Sequence, residues 1–488
     1  MSIWLYLLLV LPVILGTAIS FLLLPSVKRG AILPKWILTL GLGWGLGLGL
    51  WSFSSYLSLR FNFLSAWFVM FEVVLSLLLM VYCAYLIIAK RFLHYVPKTE
   101  VFARNNFTKF DWALSFLFAV SILIAAGLTI LHSINNPHGN WDAWAFWNLR
   151  ASFFLKNYPE WMSAFDTESL NFNLDYPLLI PCLVFRMWQI IGYDSAVIPA
   201  VIGIGFTIAS VMVILGGLWL LTGLTQGLVA SICLLSTKMF LVCGADQYSD
   251  VPLAYYFLCA VVVTSISVTK RQNQKLPLVL AGMFLGLALW TKNEGQLLTM
   301  CFLTGFFLFP VLRFKDISFG SAVWTIAGMI PFSAILLDFK INVTPMVNAY
   351  ISVDYWPRIW AQILNPERYK IIAHRFLVEL FTFHRWGFVS LFLPFYWWSK
   401  GFTEHDHFKS IFKMSVLTMM LILMGYFFIY VITPSKLQFH LDTALNRLFI
   451  HIFPVILFVF FLGANPPFRD SNEKRCRDSI LANCLLDY

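Results

Sequence analysis

Long apolar runs separated by short polar breaks fill this chain from its first residues to about position 463. A transmembrane helix needs about 20 predominantly apolar residues, and runs near that length recur along the chain. They fall at about 3–24, 33–56, 63–89, 112–133 and 176–193, then at 250–268, 277–291, 295–312, 320–338, 387–399, 411–432 and 447–463. A continuous apolar block covers 196–245. Strands of a membrane barrel would alternate apolar and polar residues, and these runs do not. The pattern predicts an all-α polytopic membrane protein, whose backbone groups are satisfied within each helix.

Basic residues assign the two sides. Lys28, Arg29 and Lys35 follow the first span; Lys90, Arg91, Lys98, Arg104 and Lys109 follow the third. The positive-inside rule makes both loops cytoplasmic, along with Lys270, Arg271 and Lys275, Arg313 with Lys315, and Lys400 with Lys409 and Lys413. The tail, with Arg469, Lys474, Arg475 and Arg477, is also inside. Segments 134–175, 339–386 and 433–446 are then extracytoplasmic, as are the turns at 244–250 and 292–295. The spans opening at Tyr176 and at Asp250 both run inward, so 196–245 must cross an odd number of times. One crossing is too few for that length at about 1.5 Å rise per residue, which predicts three short or broken helices. The total is a bundle of about 13–15 transmembrane helices with extracytoplasmic juxtamembrane helices.

Two further segments carry a pattern. In "GLGWGLGLG" the residues Gly41, Gly45 and Gly49 recur on one helix face, which fits close helix packing and not a phosphate loop. Segment 366–381 puts Tyr369, Ile372, Phe376 and Leu380 on one stripe, as in a helix lying on the interface beside a groove. A plain surface-anchoring helix fits the same stripe.

Of 488 residues, 60% are hydrophobic and 12% charged, about half the charge of a soluble domain. The net charge of +10 reads as membrane orientation and calls for no nucleic acid. Cys83, Cys182, Cys233, Cys243, Cys259 and Cys301 lie within or beside apolar runs, and Cys476 and Cys484 in the tail. Neither a disulfide framework nor zinc-ligand spacing is suggested. The first run lacks a basic leader and a small-residue cleavage site, so it reads as a retained span.

Candidate chemistry gathers in the outer segments. "NNPHGNWDAWAFWNLRASFF" places Trp141, Trp144 and Trp147 around Asp142. A short helix there would set Trp144, Trp147, Ala151, Phe154 and Leu155 toward lipid and hold the carboxylate at the surface. An aromatic belt with an incidental acid is the plainer alternative. Asp175-Tyr176-Pro177 opens a span, and Asp as N-cap with Pro in the first turn explains it structurally. Asp246 and Asp250 stand four apart around Tyr248, and Asp250 with Pro252 is a helix start. Carboxylates so near lipid are costly unless paired, solvated or metal-bound. Lys292-Asn293-Glu294 interrupts two apolar runs, as a site or as a hairpin tip with a Lys–Glu pair. Arg447 enters the last span near His440 and Asp442; a lone Arg there ordinarily snorkels.

In their order and shared side these motifs resemble the GT-C superfamily of membrane glycosyltransferases, in particular the branch of protein O-mannosyltransferases and bacterial lipid A aminoarabinose transferases. The resemblance rests on Asp142 after a span, Tyr176-Pro177-Leu178-Leu179, Asp250-Val251-Pro252-Leu253, Leu289-Trp290-Thr291-Lys292 and Arg447, across residues 131–454. It implies a three-span addition with a cytoplasmic loop at 1–111, a GT-C-like catalytic region at 112–463 and a short basic tail at 464–488. It further implies an inverting transfer of a sugar from a polyprenyl-phosphate carrier to a glycan, lipid or protein hydroxyl, outside the plasma membrane of a bacterium. Asp142 would be the base; Lys292, Arg447 and Arg385 would hold the donor phosphate, with Arg375 and His384 behind them. Asp175, Asp246 and Asp250 would bind sugar hydroxyls or a divalent ion, which the spacing does not require. Trp141, Tyr176, Tyr248, Glu294 and His440 would line the groove. The chain departs from the pattern in having one acid, not two, in the first loop, and Asp175 where relatives carry a basic residue or His before Pro-Pro. A polymerase or ligase using diphosphate carriers, a lipid-carrier flippase or secondary transporter, and a non-catalytic assembly protein are the rival readings. The absence of a visible repeat and the gathering of polar residues at one edge favour the enzyme over the transporter.

Overall fold

Apolar runs become helices here because a helix satisfies its own backbone within the segment. The computed structural model describes residues 3–27, 29–63, 65–88, 108–165, 173–269, 275–308, 319–344 and 355–467. Outside these lie Lys28, Lys90, Arg91, Lys98, Arg104, Lys270, Arg271, Arg313, Lys315, the basic tail, Cys476 and Cys484, and part of the large outer segment. Among the described residues the regular structure is helical, apart from one isolated bridge between Phe402 and Ala464.

The first helices are α1 (Ile3–Leu23), α2 (Ile32–Phe61), α3 (Ser65–Ile88) and α4 (Lys109–Asn135). A π-helical turn, Ala143–Trp147, leads into α5 (Asn148–Lys156), followed by α6 (Leu179–Ile191), α7 (Val197–Leu221), α8 (Leu224–Leu235) and α9 (Lys238–Ala245). Next come α10 (Asp250–Thr269), α11 (Lys275–Thr291), α12 (Glu294–Leu303), α13 (Phe319–Asn342), α14 (Trp356–Ile363) and α15 (Pro366–Leu380). The chain closes with α16 (Phe383–Trp386), α17 (Val389–Lys400), α18 (Asp406–Ile432) and α19 (Leu437–Gly463).

Seven of the described helices are long and apolar enough to cross a membrane, or eight if α8 and α9, bent by 65°, form one broken span. Shorter apolar helices, among them α6, α11 and α12 with its π-helical extension, complete the bundle. Segment 387–399, expected as a span, yields α17 of 12 residues, about 18 Å long and too short to cross alone.

Contacts between helix ends define two faces. On one, Tyr56 meets Asp338, Lys340 meets Asp175, His132 meets Asp246 and Lys292 meets Asp250. On the other, Thr225 donates to Asp111 (2.6 Å), Gln226 to the Ala464 carbonyl (2.6 Å) and Asn465 to that of Lys400 (3.0 Å). Traced between these faces, 196–245 crosses twice, not an odd number of times. Helix α7 is a full 25-residue span, and α8 with α9 returns. Parity survives because α6 does not cross. It starts beside Asp175 and ends before α7, whose Gly203 already lies against the Gly244 carbonyl near the first face.

Helix α2 packs closely between α1 on one side and α7, α10 and α11 on the other because its glycines leave no side chain on two sides. A Cβ on Gly41, Gly45 or Gly49 would press on Met212 of α7, Tyr255 of α10 or Leu287 of α11. One on Gly43 or Gly47 would collide with Thr17 or Pro12 of α1. Tyr255 and Tyr256 donate to the carbonyls of Gly41 (2.7 Å) and Gly45 (2.9 Å), which polar atoms in hydrocarbon require. The expected N-terminal addition thus supplies a helix enclosed by members of the expected catalytic region. Helices α3 and α4 lie outermost, with Trp67, Phe71, Trp112, Phe116 and Leu123 exposed. Helix α15 packs Ile372 and Phe376 inward against α18 and α19, while Tyr369 and Leu380 stay partly exposed. Arg368 donates to the carbonyls of Tyr430 and Val431, and Arg375 pairs with Asp442, so α15 ties the end of α18 to the start of α19.

Candidate functional site

Asp250 is the first residue of α10 and is fully enclosed. A bare charge there would be very costly; four donor nitrogens from two segments compensate it. Lys292, in the break between α11 and α12, donates to Oδ1 at 2.9 Å, and His451 Nε2 lies 2.8 Å from the same oxygen. Arg447 donates to Oδ2 through Nε (3.1 Å) and Nη2 (2.9 Å). Arg447 and His451 sit four residues apart on α19, one turn along one face.

The same Arg447 Nη2 donates to Asp142, in the first loop, so one guanidinium joins Asp142 to Asp250. Its Cζ lies 4.4 Å from the centroid of the Tyr248 ring, a cation–π contact. Lys292 also pairs with Glu294 at 3.2 Å, and its ammonium lies 5.8 Å from the Tyr176 ring. Burial alone would pull the Lys292 ammonium down, but Asp250 and Glu294 outweigh it and hold it above the usual lysine value. Exposure rises away from Asp250: the Asp250 and Lys292 side chains are 0% and 4% exposed, those of Asp142, Arg447 and Glu294 13%, 16% and 19%. The network is therefore closed at Asp250 and only slightly open along Asp142, Arg447 and Glu294.

Two smaller clusters hold the loops around it. Asp246 lies 2.7 Å from His132 and 3.4 Å from Asn140, and its carbonyl accepts from Asn140 N. Gln247, at φ +62°, accepts from Asn148 (2.8 Å) and donates to the Pro137 carbonyl (3.0 Å). Gly139 has φ +73°, and a Cβ there would lie 2.6 Å from the Asp246 carbonyl, so only glycine fits without strain. These bonds fasten the loop bearing Asp142 to the end of α9. Asp175 accepts from Asn293 (2.7 Å) and Lys340 (3.2 Å), while Lys340 also donates to Asn293 (2.9 Å).

Of the expected site residues, Asp142, Asp250, Lys292 and Arg447 form one network, flanked by Tyr176, Tyr248 and Glu294. Asp175 and Asp246 have partner sets of their own, so the three grouped carboxylates do not share a site. Among the described residues no three His, Cys, Asp or Glu side chains are arranged to hold a metal ion. Arg385 pairs with Glu379 and His440 shares a hydrogen bond with Thr433, so neither joins the network. His384 is exposed. Trp141 is exposed and edge-on to Trp144 at 4.5 Å.

The expected lipid stripe of α5 is corrected. Trp144 is exposed, but Trp147, Ala151 and Phe154 are fully buried, with Trp147 5.5 Å from Tyr176. The π-helical turn carries more residues per turn than an α-helix, which shifts the following positions onto the protein-facing side. Sequence reading passed over His451, Tyr426 and Lys340. His451 carried a signal: a histidine inside an apolar span, four residues after an arginine. Comparison with family models, curated proteins and solved structures finds no match for this chain.

Proposed function

We propose that this chain is an inverting glycosyltransferase of GT-C type, moving a sugar from a polyprenyl-phosphate carrier to an acceptor hydroxyl outside the cytoplasm. The observation that carries the reading is the meeting of Asp142, Arg447 and Lys292 around the buried Asp250 at one face of the bundle. Lys35, Lys109, Lys275 and Lys400 belong to the opposite face, in keeping with a site on the outer side.

The chemistry needs one base and cations for the leaving group. The acceptor oxygen attacks the anomeric carbon, the bond from that carbon to the phosphate oxygen breaks, and the hydroxyl proton passes to Asp142. The carrier phosphate departs as an anion with the bonding pair. Arg447 offers a donor fork and Lys292 a point charge for it. Because Arg447 holds Asp142 in the free chain, a donor phosphate that draws the guanidinium away frees the carboxylate to take the proton. Binding of the donor and activation of the base are then one event.

The test uses membranes holding wild-type or Asp142→Asn protein, given radiolabelled polyprenyl-phosphate sugars with lipid and cell-wall extracts. Wild-type transfer, lowered at least about hundredfold by the substitution, is expected for loss of a general base. Undiminished transfer removes Asp142 as the base, and carrier translocation without transfer replaces the enzyme by a flippase.

A further inference from the structure

Below the two cations, Asp250 is touched by a residue for which the proposed chemistry has no use. His451 is fully enclosed within α19, its Nε2 2.8 Å from Asp250 Oδ1 and its Nδ1 2.9 Å from the Tyr426 hydroxyl of α18. An ionised carboxylate paired with Lys292 and Arg447 only accepts, so Nε2 carries the proton and donates. Nδ1 then accepts from Tyr426. Both ring nitrogens are engaged, which fixes the tautomer and the ring plane together.

The arrangement matters because of what shares the carboxylate. Oδ1 accepts from His451 and Lys292, and Oδ2 from Arg447 twice. Without His451, Oδ1 keeps a single donor, and the carboxylate is held less firmly against rotation about its Cβ–Cγ bond. Turning moves Oδ2, on which both nitrogens of Arg447 are seated. A satisfied core histidine would explain the burial alone; it does not explain a hydrogen-bonded series, Tyr426, His451, Asp250 and Arg447, that ends at Asp142.

We propose that His451 is a positioning residue: held by Tyr426, it orients the Asp250 carboxylate and so places Arg447 for the donor phosphate. This rests on the glycosyltransferase reading of the same network. The relation is that of an outer partner orienting a primary ligand, where loss commonly lowers affinity or activity by about 10–100-fold.

Full-length protein in nanodiscs is compared as wild type, His451→Ala, His451→Gln and Tyr426→Phe, with thermal unfolding as the folding control. Two readouts are taken: binding of sugar-free polyprenyl phosphate, and transfer kinetics with donor varied. His451→Ala should weaken polyprenyl-phosphate binding and raise donor KM by about tenfold or more, and Tyr426→Phe should do so by less. His451→Gln should recover most of both, since its amide donates to Asp250 and accepts from Tyr426 without titrating. Its pH–rate profile should overlay that of the wild type. Wild-type binding and KM in folded His451→Ala would overturn the inference and leave the glycosyltransferase reading standing. So would a folded His451→Gln as impaired as His451→Ala, which would make His451 a proton carrier. Wild-type protein that neither binds polyprenyl phosphate nor transfers sugar would overturn both; if His451→Ala fails to fold, His451→Gln and Tyr426→Phe decide.

Discussion

Asp250→Asn keeps the shape of the side chain and removes one charge from the most enclosed point of the network. The carboxylate accepts from Lys292, His451 and twice from Arg447, all within 3.1 Å. At an effective dielectric of about 20, two unit charges about 3 Å apart attract by about 5–6 kcal/mol before desolvation is counted. Asparagine offers one acceptor oxygen, and its amide must face one of the cations. The loss is partial, because Lys292 keeps Glu294 and Arg447 keeps Asp142. Breaking a buried pair by removing one partner costs about 3–5 kcal/mol, and that is the destabilisation expected of Asp250→Asn. Asp142 makes one ion pair where Asp250 accepts four hydrogen bonds, and Arg447 retains Asp250 without it, so Asp142→Asn should cost less, about 1–3 kcal/mol. Reversible SDS titration in mixed micelles, with both variants beside the wild type, measures the difference. Equal midpoints for the two variants would refute the view of Asp250 as the anchor of the network and Asp142 as its peripheral partner.

Two further contrasts test the fold. An added Cβ at Gly47 would stand 1.7 Å from the Pro12 carbonyl, whereas at Gly127 it meets nothing within 4 Å. Gly47→Ala should therefore destabilise by at least about 1–3 kcal/mol, while Gly127→Ala should be neutral or stabilise by up to about 1 kcal/mol, in the same titration. Trp147→Ala empties a fully buried site and should cost about 3–5 kcal/mol; Trp144→Ala, at an exposed position, should stay within about 1 kcal/mol. A reversal of that order in unfolding midpoints would restore the lipid-facing stripe.

By itself the sequence determined the helical, membrane-embedded class, because about 20 apolar residues in succession admit no other satisfied backbone in lipid. It also determined which residues are chemically anomalous: Asp142, Asp250, Lys292 and Arg447 stand out because charge near hydrocarbon demands a partner. The glycine face of Gly41, Gly45 and Gly49 was legible for the same local reason, whereas the opposite face of Gly43 and Gly47, packed on α1, was not read. Partners were beyond reach, since Arg447 lies 197 residues from Asp250 and 305 from Asp142, and no local period encodes such pairings. Arg385 and His440 looked equally suitable as letters, yet Glu379 and Thr433 claim them. Hydropathy also cannot tell a helix in lipid from one enclosed by protein, since both are apolar. Hence α6 read as a crossing, and the crossings of 196–245 were miscounted. Tertiary packing decided these points, and it alone brought His451 and Tyr426 beneath the carboxylate on which the two cations converge.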